Sequence, residues 1–212
     1  MTEPTDIRCT AGVLAQLVDL AAAARNPGAE PLENELQRFS RLVQDSPTTA
    51  WVMPLDAVAA LLDDLAEETR TDAFAARPRI FRSRLAHAAG NEPVDAFLRS
   101  LAEILRAPWF AACPDIRELP LAPWEARARF SLLDSFASLT AAGESPQEVV
   151  AMDHPDCHGR IAALAGELQR VLYMFPGAGA LDAAFARVMP AVTHARLRLL
   201  LDAVHAHFAE HH

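Results

Sequence analysis

The sequence predicts an all-α protein: a single-domain bundle of about eight or nine helices. Three observations carry this expectation. Ala and Leu dominate a chain that is 51% hydrophobic, while β-branched residues are sparse and there is a single Tyr. Those preferences favour helix over strand. Apolar residues recur at three- and four-residue spacing, and no segment alternates apolar with polar as a half-buried strand does. The 15 prolines and 8 glycines fall between the apolar segments, where they act as punctuation. At 212 residues the chain is long enough to bury a core of its own. No repeat at a fixed period points to a solenoid.

The elements follow in order. Residues 1–9 read as a flexible lead-in, with the helical domain spanning 10–212. Thr10 can cap a helix to Arg25 whose inner face is Val13, Leu14, Leu17, Val18 and Ala21, stopped by Asn26-Pro27-Gly28. A second helix runs from Pro31 to Gln44, with Leu32, Leu36, Phe39 and Val43 inward and Glu33, Glu35, Arg38 and Arg41 outward. Trp51-Val52-Met53 reads as an apolar connector. Pro54 suits the first turn of a third helix with Leu55, Val58, Leu61, Leu62 and Leu65 buried. The pattern fades at Thr69–Asp72. Pro78 opens a fourth helix, ended by Gly90-Asn91, and Pro93 a fifth carrying Val94, Phe97, Leu98, Leu101, Ile104 and Leu105.

Between Pro108 and Pro123 four prolines mark the longest irregular connection. Long loops inside compact domains are uncommon, so this stretch is the candidate break between subdomains 10–107 and 124–212, or a functional loop. A sixth helix spans Trp124–Ala142. Ser145-Pro146 with Glu148 three residues on forms a capping box for a short helix. Another follows from Ile161 to Phe175, halted by Pro176-Gly177. A last helix runs from Ala180 to the C-terminus with a bend at Pro190.

Composition excludes several chemistries. The formal charge is −9, and all 19 basic residues are Arg. A chain with no Lys has no Walker A lysine, no Schiff base and no lysine general base. The acidic balance argues against general affinity for nucleic acid or anionic membranes. No apolar run reaches the roughly 18 residues of a membrane span, and the polar Met1–Arg8 gives no expectation of a signal peptide. Three isolated cysteines, Cys9, Cys113 and Cys157, fit reduced thiols in a bacterial cytoplasm.

Thiol, imidazole and carboxylate crowd together once, in Met152-Asp153-His154-Pro155-Asp156-Cys157-His158. Asp153, His154, Cys157 and His158 are the candidate metal ligands, and their mixed oxygen, nitrogen and sulfur donors suit zinc. With Pro155 at the first helical position, His154 would be the cap. Cys157 and His158 then diverge by about 100° on the helix, so both reach one ion only from a loop. The same residues are accounted for more simply as a helix start, where acidic side chains meet unpaired amides. A third reading makes Cys157 a reactive thiol near a helix N-terminus. The Asp153-His154 pair ahead of a helix resembles that of the helical maturation chaperones of molybdoenzymes. The correspondence is confined to these two residues, the flanking residues differ, and no family is assigned.

Three further features stand out. Asp63-Asp64-Leu65-Ala66-Glu67 resembles the aspartate-rich magnesium motif of class I isoprenoid synthases over five residues only, and a solvated acidic face explains it as well. Between Arg70 and Arg84, five arginines oppose one aspartate. Arg77, Arg79, Arg82 and Arg84 are candidate binders of phosphate or nucleic acid, with pairing to the preceding acidic helix as the simpler role. Five histidines, His194, His205, His207, His211 and His212, gather at the C-terminus. His207 and His211 have the i, i+4 spacing that can hold zinc, on what reads as a solvated helix end.

No enzyme signature accompanies these features. The favoured expectation is a non-enzymatic cytoplasmic protein acting as a regulator, adaptor or dedicated chaperone by binding another protein, with no cofactor. Trp109, Phe110 and Trp124 on or beside the proline-rich loop would be its anchors, and a homo-oligomer is compatible. The alternatives are a metal- or thiol-dependent helical enzyme centred on 153–158, and phosphate or nucleic-acid binding through 70–84.

Overall fold

The computed structural model describes residues 12–45, 54–107, 115–155 and 157–211. Among these there are twelve helices and no strand, and none of the helices is long and apolar enough to cross a membrane. The chain divides into two compact units, Met1–Leu119 and Pro120–His212, the division falling inside the proline-rich stretch.

The first unit holds α1 (Val13–Ala23), α2 (Leu32–Asp45), α3 (Leu55–Glu68), α4 (Asp72–Ala76), α5 (Arg79–Ala89) and α6 (Val94–Arg106). Helix α3 packs along α6, and α1 along α5. Leu17, Leu36, Phe39, Leu42, Leu62, Leu65, Leu85, Leu98 and Leu101 are fully buried, each contributing about 1.5–3 kcal/mol of burial free energy. Leu61, expected inside, is 37% exposed because Val58, Leu62 and Leu65 already fill the inner stripe of α3.

Helix α2 departs further from expectation. Glu35, Arg38 and Arg41 are buried rather than outward. Their polar groups are partnered: Arg38 meets the Glu35 carboxylate at 2.7 Å, and Arg41 donates to the carbonyl of Leu119 at 3.0 Å. A buried charge is tolerated on such terms. Arg25 acts similarly at the end of α5. Its guanidinium donates to the carbonyls of Ala88 (2.9 Å) and Ala89 (3.2 Å), two acceptors the helix cannot satisfy itself.

The second unit holds α7 (Pro123–Arg129), α8 (Ser131–Ala141), α9 (Pro146–Ala151), α10 (Cys157–Met174), α11 (Ala178–Phe185) and α12 (His194–His211). Helix α12 packs against α8, α9, α10 and α11, and α10 also lies on α8. Phe130, Phe175 and Phe185 form an aromatic cluster with centroid separations of 5.6 and 5.9 Å. The capping box at α9 is formed as expected: Ser145 Oγ accepts from the Glu148 amide at 3.2 Å, and the Glu148 carboxylate accepts from the Ser145 amide at 3.1 Å.

The helix count exceeds the expected eight or nine for three reasons. The fading pattern at 69–72 hides the short α4. The segment from Pro123 to Ala141 is two helices, broken at Phe130 (φ −132°, ψ 54°). The C-terminal segment is two helices rather than one bent at Pro190, which lies between α11 and α12.

The break at Phe130 leaves α8 with no side-chain cap of its own. The cap comes from α10, where the buried Glu167 carboxylate accepts from the Leu133 amide at 2.9 Å. Burial raises the Glu167 carboxyl above the usual glutamate range, while the Leu133 and Leu132 amides and Arg170 oppose that shift.

Candidate metal centre

The site forms where the turn between α9 and α10 meets the last turns of α12. Helix α9 ends at Ala151, and the His154 amide donates back to the Ala151 carbonyl at 3.1 Å. Helix α10 begins at Cys157, two residues later than the sequence suggests, so Pro155 precedes the helix and His154 lies in the turn. That turn frees His154 from helical geometry and directs it toward Cys157.

Cys157 is fully buried, and its Sγ lies 3.9 Å from His154 Nδ1 and 3.8 Å from the Pro155 carbonyl. His207, buried on α12, completes a group in which one ligand atom each from His154, Cys157 and His207 lie within 4.8 Å of one another. His154 is exposed, so the group opens to solvent on that side. The His154 ring stands 5.6 Å from that of His207 and 5.5 Å from that of His211. His207 and His211 are 5.0 Å apart.

Electrostatics favour a neutral donor at the centre. Burial lowers the pKa of His207, and the neighbouring His211 and His154 lower it further, against an opposing pull from Glu210. A neutral imidazole offers the nitrogen lone pair that binds a metal ion.

Of the four ligands expected from sequence, the structure brings together His154 and Cys157. Asp153 is otherwise engaged: its Oδ1 accepts from Arg160 at 3.1 Å, and Arg160 also stacks over the Phe136 ring at 5.1 Å. His158 packs against Phe208, 5.8 Å between centroids. The diverging directions of neighbouring positions on a helix separate it from Cys157. Asp156 lies outside the described residues. The sequence marks His207 only for its spacing to His211. Its place beside Cys157 depends on the packing of α12 against α9 and α10, which no local pattern encodes.

The other candidate residues are distributed as follows. Arg77 makes a two-pronged contact with Glu68 at 2.6 and 2.7 Å, as the acidic-helix reading expects. Arg70 reaches Asp95 at 2.7 Å and also lies 3.7 Å from Glu67 of the acidic helix, whereas Arg84 reaches Asp19 at 2.8 Å. Arg82 donates to the Arg77 carbonyl at 3.1 Å, and Arg79 is exposed. The acidic face of α3 is bound largely by α6, through Asp63 to Arg106 and Glu67 to Arg99. Trp124 is half-buried in the first turn of α7. Trp109, Phe110, Cys9, Cys113 and His212 lie outside the described residues.

No protein-family model, no curated protein and no solved structure matches the chain.

Proposed function

We propose that the second unit is a transition-metal-binding module that holds one zinc-class ion on His154, Cys157 and His207. The observation that carries this reading is the convergence of two imidazoles and a buried thiol, within 4.8 Å, from segments about fifty residues apart in the chain. Donors on a tetrahedral zinc ion stand about 3.3–3.6 Å apart, given metal–nitrogen and metal–sulfur distances of about 2.0–2.3 Å. The 3.9 Å between Cys157 Sγ and His154 Nδ1 is within a few tenths of an ångström of that value. Two nitrogens and one thiolate are a borderline-soft set, which selects zinc over calcium or magnesium.

The test is competition for Zn(II) between a chromophoric chelator and the untagged full chain. One ion per chain is expected, with affinity reduced at least about 100-fold in Cys157→Ser and in His207→Asn, since even outer-shell changes cost 10–100-fold. Equal, weak binding by all three proteins would refute the reading.

A second reading, binding of another protein as a regulator, adaptor or chaperone, draws on Tyr173, an aromatic residue 87% exposed near the end of α10. Aromatic anchors of this kind dominate interfaces. Isolation of the chain from its own host with a stoichiometric partner, lost in Tyr173→Glu, would support it; loss of nothing in that variant would remove Tyr173 as the anchor.

A further inference from the structure

The three-donor set leaves open whether the fourth position is held by solvent or by protein. We infer that His211 is the fourth ligand, making the centre a closed site of one cysteine and three histidines that fastens the last turn of α12 to the turn ahead of α10. This inference rests on the metal-binding reading and extends it.

The geometry of the imidazoles points there. With a metal–nitrogen distance of about 2.05 Å and the ring centre about 1.15 Å beyond the nitrogen, two imidazoles on one tetrahedral ion have centroids about 5.2 Å apart. The three rings of His154, His207 and His211 form a triangle with sides of 5.0, 5.5 and 5.6 Å. Ordinary ring packing also falls in a range of about 4.5–7 Å. It does not, however, place a buried cysteine sulfur beside two of the three rings. His211 follows His207 by one helical turn, the spacing that puts two ligands on one face. The donor atoms that stand within 4.8 Å of one another do not include those of His211, but it is exposed at the helix end, so its side chain can turn onto an ion seated by the other three without disturbing the core.

Closure determines what the ion does. A catalytic zinc site keeps a position for water or substrate, whereas four protein ligands make the ion a structural cross-link. Here the cross-link joins two segments of the second unit that otherwise meet through side-chain packing, and it makes the order of the α12 terminus depend on metal.

Co(II) substituted for zinc in the full chain tests the point, with millimolar imidazole as an external ligand. The expected result is a four-coordinate visible spectrum in the natural chain that imidazole leaves unchanged. His211→Ala should bind Co(II) at least about 100-fold more weakly, and its spectrum should respond to imidazole, which fills the vacated position. His211→Cys should recover most of the affinity with a second sulfur charge-transfer band. Far-ultraviolet dichroism confirms that each variant folds. If the natural chain binds Co(II) and its spectrum already responds to imidazole while His211→Ala binds as tightly, the site is open and this inference is overturned, though the three-ligand reading stands. If the natural chain binds neither Co(II) nor Zn(II), both fall.

Discussion

Glu167 is a single side chain on which two helices depend, and its replacement separates hydrogen bonding from charge. Its carboxylate satisfies the Leu133 amide at the start of α8, and it is 4% exposed. Glu167→Ala leaves that donor facing a small void. A buried, unsatisfied donor costs about 1–3 kcal/mol, so a loss of that size is expected. In a unit of roughly 90 residues, 1 kcal/mol corresponds to about 4–8 °C in Tm, and the loss should exceed about 4 °C. Glu167→Gln keeps the accepting oxygen and removes the buried charge, and should lie within about 1 kcal/mol of the natural chain at pH 7. The sign of the pH dependence follows from the raised carboxyl. The fold favours the protonated form, so this contribution is fully present below the ordinary glutamate pKa and is lost as pH rises through the higher folded-state value. Glu68, Asp95 and Glu148 have the opposite sign. Hydrogen bonds from Arg77, Arg70 and Ser145, respectively, lower them, and their contributions are lost as pH falls. The stability difference between the natural chain and Glu167→Gln cancels those shared contributions. Urea titrations from pH 4 to 8 should show that difference falling with pH. A flat or rising difference would refute the raised carboxyl, and Glu167→Gln as damaged as Glu167→Ala would refute the capping argument.

Three other outcomes are expected. Zn(II) at 100 times its dissociation constant should stabilise the second unit by about 2.7 kcal/mol, a rise of about 10–20 °C in Tm, reversed by a chelator; thermal melts with and without metal check this. Arg25→Ala should cost the first unit about 1–2 kcal/mol by removing the donor to Ala88, since the Ala89 carbonyl keeps the Glu92 amide, read by urea unfolding and by faster amide exchange at the end of α5. A double-mutant cycle on Arg77 and Glu68 should give a coupling of no more than about 1 kcal/mol that shrinks in high salt, as for other exposed pairs.

What is legible in the sequence is what is decided locally. Pro54, Pro78 and Pro93 stand immediately before α3, α5 and α6, and Gly90 (φ 65°) follows α5 in a backbone conformation that favours glycine. The Ser145–Glu148 box needs four residues and forms as read. The break at Phe130 carries no such signal: no glycine or proline interrupts the apolar spacing there. It occurs because Phe130 is fully buried beside Phe185, and because Glu167, more than thirty residues later, supplies the cap that lets a new helix begin. Burial of Glu35, Arg38 and Arg41 on α2 is hidden for a related reason. A charged residue reads as outward until its partner is known, and the partner of Arg41 is a carbonyl at residue 119.

The candidate site divides along the same line. Met152–His158 identifies itself by composition, since His154 and Cys157 are three residues apart and one turn suffices to bring Nδ1 and Sγ to 3.9 Å. The sequence points to His158 as the next donor, because it adjoins Cys157 in the chain, and only packing of α12 brings in His207. Helical geometry separates the two: once Cys157 begins α10, His158 is turned away by about 100° and packs on Phe208, whereas His207 lies in the group with the thiol. A donor set assembled in this way is complete only when the fold is complete. Metal affinity should therefore report on the docking of α12, and substitutions that loosen α12 far from the ligands should weaken zinc binding to the extent that they lower the docked fraction of the metal-free chain.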